Sequence, residues 1–510
     1  MQIFCLCCKC GHFTIIVMKN IKDAMYRIKT VYILRAPKSA KRFLSVSTKK
    51  IPLTIHDIPR PKALPLIGTK LEFMAAGSGT KIHEYVDNRH KQLGSIFCEK
   101  LSGSTDLVFV SDPMLIRTLF LSLEGKYPVH ILPDPWVLYE KLYGSKRGLF
   151  FMNGNVWLEN RRIMNKHLLR DGSEKLFEVP VKTTVQKFVQ RWKVQAEKGE
   201  FVPHLESEFY RLSIDVIMAV LLGKSPQLNA DTHYETLLST FSEAVKRIFQ
   251  TTTKLYGIPV NICQKLNLKV WRDFKESVDL SLFLAHKLVT EIMREGKTNG
   301  LINVLREENM NDEIVKNIIG DFIIAAGDTT AYTSLWSLLL LSRNENAVQD
   351  LISNEKVSGI NVMKESMRLY PVAPFLTRIL PKDCVLGPYT LNKGTPIIAS
   401  IYTSGRDEKN FSRALEFLPY RWDRNDPRKK DLLNHVSSAS LPFALGARSC
   451  IGKKLAMLQL TEVISQITKN FKYVCMNKDE IHADTSQVLV PNKDIKLTFS
   501  LREHNNTTCD

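Results

Sequence analysis

Apolar residues recur at helical spacing through most of the chain. Between residues 176 and 308, stretches such as SEFYRLSIDVIMAVLLG and DLSLFLAHKLVTEIMREG read as amphipathic helices that each bury one face. Residues 311–344, NDEIVKNIIGDFIIAAGDTTAYTSLWSLLLLSRN, differ: Asn and acids lead in at capping positions and the middle is apolar all round. That pattern predicts a long helix through the interior. Shorter β-forming runs, IFCEKLSG and TDLVFVSDP, read as strands, with a helix expected from Pro113. VAPFLTRIL and CVLGPYTLNKGTPIIAS read as hairpins. Residues 127–151 are rich in Pro and aromatics with weak periodicity, and are expected to be an ordered loop. The expected class is mainly α with small β-sheets, built as one large domain.

Composition changes this picture mainly at the N-terminus. The 510 residues are 44% hydrophobic and 24% charged, enough apolar material for a large core, and no repeat or long Gly/Ser linker divides them. Of the formal net charge of +19, about ten units fall in the first fifty residues, which hold eleven Lys or Arg and one acid, Asp23. Such a segment, ending KRFLSVSTKK, reads as a mitochondrial transit peptide, with a basic arm for nucleic acid or lipid as the alternative. Its apolar stretches, such as FTIIVM, are too short to cross a bilayer. Residues 51–70 contain Pro59, Pro61 and Pro65 and read as a stiff hinge. Residues 71–500 form the expected domain, and residues 501–510 a tail. The ten cysteines are not spaced as a disulfide framework, and the crowded Cys5, Cys7, Cys8 and Cys10 lack a second cluster to complete a zinc site.

Candidate chemistry concentrates in four places. Residues 441–455, LPFALGARSCIGKKL, set Cys450 among Phe443, Gly446, Arg448 and Gly452 and lead into a helical apolar pattern. Glycines allow a tight turn and close approach of a flat ligand, while Arg448 and a helix N-terminus both favour a thiolate. A buried, inert cysteine is the plain alternative. In the interior helix, Asp328, Thr329 and Thr330 follow the small residues Ala325, Ala326 and Gly327, and a Thr hydroxyl there can bond back to the carbonyl one turn earlier. Trp157 and Arg161 stand four apart in a helical pattern and share a face. Glu365 and Arg368 stand three apart just before Pro371, a spacing also common on surfaces.

In this order the motifs resemble the cytochrome P450 family over about residues 58–500. Phe443, Gly446, Arg448, Cys450 and Gly452 match its haem-ligand loop at all five positions; AAGDTT resembles its oxygen-activating segment, with Ala326 where Gly is usual. The resemblance implies haem b (iron protoporphyrin IX) with Cys450 as the metal ligand, and O2 as co-substrate. It implies that Thr329 and Asp328 supply protons, and that Trp157, Arg161, Arg378 and Arg448 neutralise the haem propionates. Glu365, Arg368 and Arg421 would form a buried structural triad, residues 372–377 would line the pocket, and residues 127–151 would lie over it. Lys453, Lys454 and Lys364 match basic positions that face a ferredoxin in mitochondrial members, whereas Ile360 stands where a second such lysine is usual.

The expected partners are therefore a mitochondrial ferredoxin with its NADPH-dependent reductase, an apolar substrate with a steroid expected first, and peripheral contact with the matrix side of the inner membrane; no nucleic acid is expected. Within the mitochondrial branch, FALGARSCIGKKLA and AAGDTTAYTSLW are most similar to the arthropod ecdysteroid hydroxylases, the 2-hydroxylase (Shadow) group first. A mitochondrial member acting on xenobiotics and a haem-binding protein without turnover are the alternatives. One departure stands out: Thr329 and Glu365 are only 36 positions apart. Either the intervening helices are abbreviated or a segment is missing from the gene sequence.

Overall fold

The computed structural model describes residues 3–7, 13–17, 53–64, 68–101, 105–144, 147–224, 232–256, 258–294, 299–353 and 359–503. It divides into two units, Met1–Pro52 and Leu53–Asp510. In the first, Ile3–Cys7 pairs antiparallel with Phe13–Val17. Most of the expected transit peptide lies outside the described residues.

The second unit is built on helices around one interior helix, Asp312–Ser342. Its start is capped by the Asn311 side chain, which accepts from the Glu313 and Ile314 N–H groups. Its second half, from Thr330 to Leu341, is buried on every face, as an all-round apolar pattern demands. Helices Leu205–Leu222, Lys269–Arg294 and Lys453–Asn470 pack against it, and Glu178–Ala196 packs on the first and third of these. A four-stranded sheet lies to one side in the order Ile96–Glu99, Leu107–Val110, Pro396–Ser400, Phe375–Ile379, with only the middle pairing parallel. The other sheets of this unit are small: one three-stranded and two two-stranded among the described residues.

One expectation needs revising. Residues 127–151 are not a loop throughout: Asp134–Tyr143 is helical, with Pro135 in the first turn, where a missing N–H costs nothing, and Gly144 ending it at φ +60°. Two of its aromatics, Trp136 and Tyr139, are buried against Phe274, and that tertiary packing supplies what the weak periodicity concealed. The short connection from Thr329 to Glu365 holds a nine-residue helix, Glu345–Ser353, and then Gly359–Leu369. Residues 354–358, between the two helices, lie outside the described residues.

Glu365 ties the second half of the chain together. Its Oε1 accepts from Arg368 Nη2 (2.8 Å), Arg421 Nε (2.8 Å) and the Leu418 N–H (2.9 Å). Its Oε2 accepts from Arg368 Nε (2.8 Å) and Trp422 Nε1 (2.9 Å). All three charged side chains are fully buried. Burial alone would raise the Glu365 pKa, but the hydrogen bonds and charge of Arg368, then Arg421, outweigh it and hold the group below the ordinary value. The spare guanidinium donors reach carbonyls of Gly405, Ala414 and Glu416 from Arg368, and of Ser412 and Arg413 from Arg421. The triad expected at Glu365, Arg368 and Arg421 is thus assembled, and it pins the meander that precedes the Cys450 loop.

Glu365→Ala leaves two buried guanidinium groups without a counter-charge. Urea unfolding should show a loss of about 3–5 kcal/mol, read as a lower midpoint at unchanged slope. A loss under 1 kcal/mol would mean that the pair is solvated in solution.

Candidate active site around Cys450

The Cys450 loop is shaped by its own backbone and by one distant acid. Ala444 and Gly446 adopt φ of +58° and +77°. The Cys450 N–H donates to Phe443 O (2.9 Å) and the Ser449 N–H to Gly446 O (3.2 Å). A Cβ at Gly446 would strike Phe120 O and Glu124 Oε1, so glycine is required there on two counts. Glu124 Oε1 accepts the Ala447 N–H (2.7 Å) while its Oε2 accepts from Arg378 Nε (2.7 Å). Gly452 has an ordinary φ; it is the residue before helix Lys453–Asn470, so only one of the two loop glycines is used for its conformational freedom.

Cys450 is surrounded by protein, yet its side chain is uncovered. Ala325 is likewise exposed midway along the interior helix, the only exposed residue beyond its first turn, with Thr329 one turn on and half-buried. Uncovered side chains at the heart of a core mark an internal space. Burial pushes the Cys450 thiol up, while the Gly452 N–H, Arg161 and Lys453 pull the other way. The neighbouring cation is therefore Arg161, from helix Gly154–Leu168, and not Arg448 as the spacing suggested. Arg161 Nη2 donates to Ser449 O (2.5 Å), which explains its closeness to the sulfur.

Arg448 points away from the thiol. It donates to Pro128 O (2.6 Å), Phe150 O (3.3 Å), Met152 O (2.5 Å) and Asn153 Oδ1 (2.8 Å), and its guanidinium lies 4.4 Å above the Trp157 ring. Burial, then Arg378 and Arg161, push Arg448 down to about 10; Glu124 opposes them. Three guanidiniums and one carboxylate leave two net positive charges at this place, matching the two propionates of haem b. Among the described residues, Arg161 Nε, Arg378 Nη2 and His130 Nε2 are buried there without a hydrogen-bond partner. A sulfur donor beside an internal space and unpartnered donors with a net charge of two positive fit an iron porphyrin dicarboxylate.

On the interior helix, Thr329 Oγ1 donates to Ala325 O (2.8 Å), the back-bond anticipated from the motif. Asp328 is 5% exposed, its Oδ2 has no partner, and burial with the nearby Glu206 pushes it up to about 7 against the pull of Lys246. Of the three lysines expected at a docking face, Lys364 and Lys453 are exposed. Lys454 is not free: it pairs with Glu174 (2.5 Å) and Asp171 (3.5 Å) and donates to Arg170 O (2.8 Å). Of residues 372–377, Thr377 uses its hydroxyl to accept the Ile131 N–H (2.9 Å). A surface groove of about 610 Å³, lined by Lys166, His167, Arg170 and Lys175 among others, contains none of the candidate residues and is not this site.

Glu124, His130 and Glu206 were not singled out from the chain. The partners of the two acids lie far away in sequence, 254 residues for Glu124 and Arg378 and 126 for Glu206 and Tyr332, and no local spacing reports such a contact.

The chain matches the Cytochrome P450 family over residues 58–358 and 360–499. It is 37% identical over 485 residues to the Drosophila melanogaster protein named cytochrome P450 315a1, mitochondrial, covering 90% of each chain. It is 28% identical over 497 residues to the mitochondrial 1,25-dihydroxyvitamin D(3) 24-hydroxylase of Rattus norvegicus, covering 91% of this chain and 95% of that one. To the mitochondrial cholesterol side-chain cleavage enzyme of Ovis aries it is 28% identical over 485 residues, covering 89% and 91%.

The Asp328 carboxyl gives a pH signature. Because its folded pKa stands near 7 against an ordinary 3.8, the folded protein holds a proton that the unfolded chain has released in the window between. Its contribution to stability is therefore lost as pH rises from about 4 through 7. Asp328→Asn should abolish that part of the slope, so the variant gains on the parent across this window in denaturant titrations; parallel curves would contradict the buried, unpaired acid.

Proposed function

The chain belongs to the cytochrome P450 family, and from that membership we propose that it hydroxylates a steroid, an ecdysteroid first, with electrons from a mitochondrial ferredoxin. It is a monooxygenase that carries haem b and uses O2 as co-substrate. The bound haem supplies reductive activation of O2 and insertion of one oxygen atom into a C–H bond, the second oxygen leaving as water.

The chain's own part is binding, orientation and proton handling. Cys450 provides the thiolate, which the Gly452 N–H, Arg161 and Lys453 stabilise against the cost of burial. Arg161 and Arg378, each with an unpartnered donor, would receive the propionates, and Arg448, held over Trp157 by protein oxygens, would contribute its charge; Glu124 keeps Arg378 in place and offsets one of the three charges. Thr329 presents its hydroxyl to the internal space, and Asp328 behind it holds a proton near neutral pH. Phe443, Gly446 and Gly452 shape the loop. The single observation that carries this reading is the enclosed but uncovered Cys450 beside buried cationic donors that lack partners.

The steroid assignment is supported by the names of the relatives, two of which act on cholesterol and on 1,25-dihydroxyvitamin D(3). The ecdysteroid assignment is supported by the flavour of the loop and helix motifs, FALGARSCIGKKLA and AAGDTTAYTSLW. Residues 1–50 would direct the chain to the mitochondrial matrix, where it contacts the inner membrane peripherally; among the described residues no helix is long and apolar enough to cross a membrane. Residues 51–70 would form the hinge, residues 71–500 the haem domain and residues 501–510 the tail.

The test is turnover of the haem-loaded protein with ferredoxin, its NADPH-dependent reductase and ecdysteroids that lack the 2-hydroxyl. Product hydroxylated at that carbon is expected; no ecdysteroid product alongside turnover of unrelated apolar compounds would reject the assignment in favour of a xenobiotic role. The ferredoxin is tested at Lys453 and Lys364, whose side chains are exposed. Lys453→Glu with Lys364→Glu should slow reduction at low salt by roughly tenfold and flatten its salt dependence. Lys454→Glu should act instead on stability, through its contacts to Asp171 and Glu174. Unchanged reduction kinetics in the first variant would remove these lysines from the interface.

A further inference from the structure

The interior helix meets a second carboxylate away from Cys450. Helix Leu205–Leu222 packs along it so closely that a Cβ at Gly327 would strike the Tyr210 ring. One residue on, the groups that face Asp328 are Glu206 and Tyr210 from that helix, Lys246 from helix Thr232–Lys254, and Tyr332 from its own. Tyr332 donates its hydroxyl to Glu206 Oε1 (3.1 Å), and Lys246 Nζ lies 2.7 Å from the same oxygen. Exposure rises outward along this line: Asp328 is 5% exposed, the Glu206 side chain 26% and Lys246 46%. Tyr332 stands four residues after Asp328, on the same face of the helix.

A buried acid that gives up a proton in each cycle must be reprotonated, and a carboxylate between it and water is chemically suited to do so. We propose that Glu206 is the water-side relay that returns protons to Asp328, positioned by Tyr332 and Lys246. The inference rests on the monooxygenase reading and adds to it where the proton enters. A proton from bulk water adds to the Glu206 carboxylate. The new Glu206 O–H then breaks as a water held beside the Tyr332 hydroxyl takes that proton and gives one of its own to the Asp328 carboxylate. One proton moves inward, no electron moves, and Glu206 is left as the carboxylate paired with Lys246. Tyr332 keeps its O–H throughout, as burial and the surrounding acids push its own ionisation well above the ordinary range.

The test uses the haem-loaded full chain and two readouts. The carboxylic acid C=O band of Asp328, assigned by its loss in Asp328→Asn, is followed against pH by infrared difference spectroscopy without turnover. Removing the Glu206 charge in Glu206→Gln should lower the pH at which that band disappears by about one unit. In turnover, the same variant should lose roughly tenfold in product formed per NADPH and show a larger solvent deuterium isotope effect. Tyr332→Phe, which removes only a hydroxyl, should reproduce the turnover losses, and it carries the test if Glu206→Gln does not fold. An unchanged Asp328 titration in Glu206→Gln overturns the proposal. So does a shifted titration with unchanged coupling and isotope effect, since Glu206 is then an electrostatic neighbour and no relay. The ferrous–CO absorption of a thiolate haem, checked in parent and variants, separates these outcomes from failure of the haem reading itself: its absence from the parent would reject that reading.

Discussion

A carboxylate buried with two guanidiniums can be a liability to a fold, and here it is the tie on which the second half of the chain depends. Glu365 accepts five hydrogen bonds, so neither oxygen is left to face the core unpaired. Its partners come from its own helix and from the segment around Leu418–Trp422. Arg368 and Arg421 then spend their remaining donors on carbonyls between Gly405 and Glu416. A stretch with little regular structure is thereby held by side-chain bonds in place of a backbone ladder. The loop that presents Cys450 begins about twenty residues beyond this anchor, and its position follows from it.

The loop is fixed a second time from the opposite side. Glu124 reaches the Ala447 N–H and Arg378 together, and the space that a Gly446 side chain would need is filled by Glu124 and by Phe120. Arg448 ties the loop to carbonyls of residues 128, 150 and 152. The arginines at the site therefore have two kinds of work. Arg448 is mostly consumed by structure, whereas Arg161 and Arg378 each keep an unpartnered donor. This division could not be read from the spacing of the loop, which placed Arg448 beside the sulfur merely because it is two residues away.

What was legible along the chain was whatever depends on near neighbours or on period. The interior helix, the Asn311 cap, the Thr329 back-bond and the Glu365–Arg368 pairing are all contacts within four residues. The strands expected in IFCEKLSG and TDLVFVSDP are present as Ile96–Glu99 and Leu107–Val110. Arg421 was found only because its position relative to two other motifs is characteristic of a family. The helix at Asp134–Tyr143 was hidden because its Pro-rich start resembles a loop and its aromatic face is satisfied by partners far along the chain. Glu124 and Glu206 were hidden for a simpler reason: one acid among many carries no sign of which cation it will meet after folding.

The described side chains also show where the fold tolerates cost. Buried polar atoms without partners are normally few, because each forfeits hydration for nothing. Among the described residues Arg161 Nε, Arg378 Nη2 and His130 Nε2 are of this kind near Arg448 and the Cys450 loop, and Asp328 Oδ2 is another on the interior helix, facing Glu206 and Tyr210. Burial, with Arg448 and Arg378 nearby, also pushes His130 down to about 3, so it adds no positive charge of its own. A stability optimum would replace these groups by apolar ones of similar volume. Their presence together, in a core whose structural ion pair at Glu365 is fully satisfied, is better explained by partners that arrive with the cofactor and by a proton that must move. The Glu365 carboxylate, which must hold still, thus completes its hydrogen bonds, while Arg161 and Arg378 at the Cys450 loop each keep a donor in reserve.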